Sequence, residues 1–124
     1  MTRWTKGETA QVNTPDYVRD NIHVSLLARY YAAFVERAYA ATTNTKLGPS
    51  GYVETQGAFA QRFAEEIGSR LNLATPLLLA THTDFSEPLV RINPDRPAYP
   101  EVAGWTESAA WDALAEYYAS IFPT

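Results

Sequence analysis

The chain has 124 residues, 46% of them hydrophobic and 13% aromatic, with 14 acidic side chains against 10 basic ones and no cysteine. That composition is globular rather than disordered, and the length suits one domain spanning residues 1–124. The acidic balance and the lack of any Lys/Arg run argue against nucleic acid as a partner. The missing cysteines exclude disulfides and thiolate metal sites.

Elements follow in chain order. Trp4 to Gly7 reads as a last helical turn ended by Gly7, and Met1 to Gly7 is too polar for a signal peptide. Thr9 to Val12 is strand-like, and Asn13-Thr14-Pro15-Asp16 is a turn. Val18, Ile22 and Val24 supply β-branched residues for a second short strand containing His23, although Ile22, Leu26 and Tyr30 also fit a helical spacing. Ser25 is the predicted cap of the helix that follows.

From Leu26 to about Ala41 two apolar strips lie side by side: Leu27, Tyr31, Phe34 and Ala38, then Leu26, Tyr30 and Ala33. A helix apolar over that much of its surface is predicted to be buried on more than one side. Thr42 to Gly51 is a loop rich in breakers, and Tyr52-Val53 a very short strand. Thr55 caps a predicted amphipathic helix with Phe59, Phe63, Ile67 and Leu71 inward and Gln61, Arg62, Glu65, Glu66 and Arg70 outward.

Leu77 to Ala80 is too short for a helix and reads as a buried strand, and Leu89 to Ile92 as a strand fragment. Four prolines between Pro88 and Pro100 predict an extended loop. Thr106 or Ser108 caps a last helix with the stripe Trp111, Leu114, Tyr118 and Ile121. No apolar run reaches the roughly 20 residues that span a membrane, and the plain reading is a cytoplasmic protein. The predicted fold class is α/β, with about three main helices on a small sheet of short strands.

Candidate chemistry is sparse. Arg19-Asp20 reads either as an anion clamp, with Asp20 orienting Arg19, or as a surface ion pair at a strand end. His23 has no second ligand at metal spacing and reads as a structural histidine. His82, Asp84 and Glu87 are more simply a polar loop than a metal site. Ser50 lacks the flanking pattern of a nucleophile, and Tyr30-Tyr31 and Tyr117-Tyr118 suit core or interface positions.

Arg19-Asp20-Asn21-Ile22-His23-Val24, followed by an Ala-containing helix, resembles the Arg-Asp-Tyr-Ile-His-Val segment of extended short-chain dehydrogenase/reductases. These are the NAD-dependent epimerases and dehydratases of nucleotide-diphosphate sugars. Gly48-Pro49-Ser50-Gly51 ahead of the Thr55 helix, Asn93-Pro94-Asp95, Gly104-Trp105 and the final helix fall in that family's order. The likeness runs from about Gly7 to Phe122 and covers only the family's C-terminal, substrate-binding part. It implies a diphosphate contact for Arg19, with Arg91 as a second substrate-binding arginine in place of one missing near His82 to Asp84.

What the family also needs is absent from this chain. There is no Gly-x-Gly-x-x-Gly turn for a dinucleotide. The only lysines are Lys6 and Lys46, so no tyrosine has a lysine four residues on. The resemblance therefore implies a truncated or split domain with no catalytic residues, cofactor site or metal of its own. NAD would enter only with a separate Rossmann-domain chain. The alternative is a non-catalytic, self-associating module, a homodimer formed through the Leu26–Ala41 helix.

Overall fold

The structure, a computed structural model, describes residues 1–96 and 102–122. It is an α/β fold of three helices and four short strands, in the order β1 (Ala10–Val12), β2 (Val18–Asn21), α1 (Val24–Ala40), β3 (Tyr52–Thr55), α2 (Gln56–Leu71), β4 (Leu77–Leu79) and α3 (Glu107–Ile121). A 3-10 turn, Trp4–Lys6, precedes them and ends at Gly7, whose φ of 73° is the left-handed conformation glycine adopts without strain.

The strands form two pairs. β1 runs parallel to β4, with Ala10 opposite Leu77 and Val12 opposite Leu79. β2 runs antiparallel to β3, with Val18 opposite Thr55 and Asn21 opposite Tyr52. Leu89 to Ile92, expected as a strand, contributes a single parallel bridge between Val90 and Val18. Two hydrogen bonds hold it there, from Val18 N–H to the Leu89 carbonyl (2.8 Å) and from Arg91 N–H to the Val18 carbonyl (3.1 Å).

The core lies between α2 and α3. Ile67 is fully buried with Trp111 and Ala115, and Phe63, Leu71, Leu114 and Tyr118 pack around them. Phe63 is its aromatic hub, its centroid about 6 Å from those of Trp4 (6.1 Å), Trp111 (6.0 Å) and Tyr118 (5.9 Å). The outward side chains of α2 tie the helices at the rim: Arg62 to Glu107 at 2.6 Å and Arg70 to Asp112 at 2.7 Å. The caps of α2 and α3 behave as the sequence predicts, Thr55 accepting from Ala58 N–H and Thr106 from Ala109 N–H.

Three expectations change. The Leu77–Leu79 strand is not buried on both faces, because Leu78 stands more than half exposed. The last turn of α3 outruns the core, leaving Ile121 exposed. Helix α1 buries Leu26 and Tyr30 but exposes Val24, Tyr31, Val35 and Tyr39, so one side and not several is covered. The extended loop from Pro88 is followed as far as Arg96; residues 97–100 lie outside the described residues. No described helix is long and apolar enough to cross a membrane.

Candidate functional site

The junction from β2 into α1 has a different construction from the one the β-branched run suggests. β2 stops at Asn21, and His23 is the N-cap residue of α1 rather than a strand residue. Its Nδ1 accepts the Ser25 amide at 3.1 Å, which a serine hydroxyl at the cap would otherwise do. Ser25 lies inside the first turn, where its hydroxyl meets the same Nδ1 at 2.7 Å and accepts the Trp105 indole N–H at 3.0 Å. Burial lowers the His23 pKa from its ordinary value.

Asp20 does not orient Arg19. One carboxylate oxygen accepts the Gly51 amide (2.7 Å) and the other the Asn93 amide (3.0 Å), so Asp20 staples β2 to two loops at once. Those loops also pair directly. The Gly48 amide donates to the Asp95 carboxylate (2.7 Å), the Asp95 amide to the Gly48 carbonyl (2.9 Å), and the Ser50 amide to the Asp95 carbonyl (2.7 Å). The Asn93 side-chain amide donates to the Pro49 carbonyl at 2.9 Å. Ser50 is buried, and among the described residues its hydroxyl has no hydrogen-bond partner.

Arg19 is largely buried, with only 16% of its side chain exposed. Its Nη1 donates to the carbonyls of Val18 (2.8 Å), Leu89 (3.2 Å) and Pro88 (3.3 Å), and its Nη2 to Glu87 (3.2 Å). The guanidinium also stacks 4.3 Å from the centroid of the buried Tyr17 ring. The Tyr17 hydroxyl in turn accepts the Glu87 amide at 2.9 Å. Arg19 thus anchors the 87–91 segment along β2.

Arg91 is its opposite in character. Its side chain is 56% exposed, and its ion pair to the same Glu87 carboxylate is loose at 3.6 Å. Both arginines line one cleft of about 740 Å³ between β2, the start of α2 and residues 90–93. Asn21, Gln56 and Asn93 add polar atoms to its wall, and Phe59 adds a ring. The two site residues proposed from sequence therefore meet at one cleft. Glu87, between them, has no local sequence signal marking it as their common partner.

His82, Asp84 and Glu87 do not converge. Asp84 faces Tyr17 through its carbonyl, Glu87 pairs with the arginines, and among the described residues no group of three His, Asp or Glu side chains is gathered for a metal.

No family model, curated protein or solved structure matches this chain.

Proposed function

We propose that this chain is a non-catalytic sugar-nucleotide-binding domain of the epimerase/dehydratase type, working in the cytoplasm, whose NAD chemistry belongs to a separate Rossmann-domain chain. The observation that carries the reading is the meeting of Arg19 and Arg91 at one polar cleft. A volume near 740 Å³ falls within the range of small-molecule sites. The adjacency of Gly48–Gly51 and Asn93–Asp95 around Asp20 supports it further, since both segments belong to the resemblance.

The two arginines divide the work. Arg19 is held by three carbonyls and shapes the cleft wall. Arg91 is free to leave Glu87, because an exposed ion pair contributes about 1 kcal/mol or less. A charge-assisted contact to a diphosphate contributes about 1.5–3 kcal/mol, so the exchange favours the ligand. Calorimetric titration with UDP-glucose tests this, with saturable binding expected and a flat response from the folded chain counting against it.

A second reading rests on α1. Its exposed Val24, Tyr31, Val35 and Tyr39 form an apolar face, with Tyr39 94% exposed. Such faces are uncommon on monomers, and a symmetric homodimer is the commonest way to cover one. In that reading the chain is a self-associating module. The same face would serve a Rossmann-domain partner.

A further inference from the structure

We propose that the chain holds a second ligand site, an apolar cavity under the β2–α1 junction, for a neutral aromatic ring carrying one hydrogen-bond acceptor. The cavity has a volume of about 290 Å³ and is walled by Ile22, Tyr52, Phe59, Trp111 and Leu114, with His23 and Asn21 at its polar edge. Apart from Ile22, in the short junction between β2 and the α1 cap, these residues come from β2, β3 and the three helices or their caps, so the walls stand mostly on regular elements.

The size and lining select the ligand. A site at the lower end of the small-molecule range takes one ring system and not a larger molecule. Three aromatic side chains offer ring surface, and two of their planes are set: Arg62 stacks 4.2 Å from the Tyr52 centroid, and the Trp111 indole N–H donates to Glu107 at 3.1 Å. With its N–H engaged, Trp111 presents carbon to the cavity. A charged ligand would lose its hydration with no ion partner among these walls.

His23 supplies the polar specificity. The Ser25 hydroxyl oxygen accepts the Trp105 indole N–H and has its own proton to give to Nδ1. The Ser25 amide donates to the same nitrogen. Nδ1 is therefore an acceptor, and the neutral ring carries its proton on Nε2. That proton is a donor, and it asks for an acceptor on the ligand. Asn21 and Phe59 also line the arginine cleft, so the two sites share a wall while differing in chemistry.

The test is an NMR titration of the full ¹⁵N-labelled chain with acetophenone, and with ethylbenzene as the same ring without an acceptor. Saturable shifts are expected at the Trp111 indole N–H and at the amides of Ile22, Val24 and Ala110, with ethylbenzene weaker by about fivefold or more for the missing hydrogen bond. His23→Asn keeps a capping side chain but removes the ring donor, and should bring acetophenone down to the ethylbenzene affinity. Leu114→Trp should fill the cavity and abolish both. Should Leu114→Trp not fold, the comparison of the two probes on the native chain decides. Shifts absent, or spread over the exposed face of α1, would overturn the site; equal affinity of the two probes would overturn the role of His23.

Discussion

The Gly51 amide lies 2.7 Å from one carboxylate oxygen of Asp20, and this contact fixes the breaker-rich loop against the end of β2. The second oxygen holds Asn93, so a single side chain sets the spacing of β2, the 48–51 loop and the 93–95 segment. The staple also has a steric partner. A Cβ added at Gly51 would stand 2.3 Å from the Asn21 carbonyl oxygen and 2.8 Å from the Ile22 Cβ.

Asp20→Asn keeps the size but gives only one acceptor oxygen, so the amide nitrogen must face either the Gly51 or the Asn93 N–H. One donor is left unmet, and stability should fall by about 1–3 kcal/mol. Urea denaturation measures it; a midpoint unchanged from the native chain would show that the staple contributes nothing.

Gly51→Ala meets backbone rather than a flexible side chain, so β2 or the loop must shift. A loss of about 1–3 kcal/mol is expected, as for overpacked sites generally. Thermal unfolding followed by circular dichroism reads this directly, and a melting temperature equal to that of the native chain would contradict the close approach.

His23 makes stability depend on pH. Its pKa is lowered in the folded chain, so the unfolded chain binds more protons as pH falls through the ordinary histidine range near 6.5. Its contribution is fully present above that value and declines as pH drops through and below that range, until both states are protonated. Protonation also removes the acceptor that caps α1. The melting temperature of His23→Asn should fall less over that interval than that of the native chain, and parallel curves would argue against the cap.

The exposed face of α1 predicts association. Light scattering at tens of micromolar should give twice the chain mass, and Val35→Lys with Tyr39→Lys should return it to the monomer. A native chain that stays monomeric would remove the self-association reading.

Much of this architecture is legible in the residues themselves. Thr55 followed by apolar residues at every fourth position announces α2, and Thr106 ahead of Trp111 announces α3, because caps and periodicity are local properties. His23 misleads for a local reason: it sits in a β-branched run, and Ser, Thr, Asn and Asp are the usual capping residues. The two-strip pattern of α1 states which residues tolerate burial but not what is present to bury them, and Tyr39 finds no cover. The tasks of Asp20 and Arg19 are long-range: their partners, Gly51, Asn93, Pro88 and Leu89, are remote in the chain, and no spacing rule reports them.

The arginine pair separates structure from binding. Arg19→Ala removes donors from three carbonyls and a stacking partner from Tyr17, so it should lower stability by about 2–3 kcal/mol. Urea unfolding checks this; a stability within a few tenths of the native value would show that Arg19 does not anchor the 87–91 segment.

Calorimetric titration of UDP-glucose into the native chain and into Arg91→Ala weighs the proposed function most directly. Native binding should be saturable, and Arg91→Ala should weaken it about tenfold, the equivalent of one charge-assisted contact, while leaving the melting temperature unchanged. Absence of binding by the folded native chain, or equal affinity in the Arg91→Ala variant, would contradict a diphosphate site at this cleft.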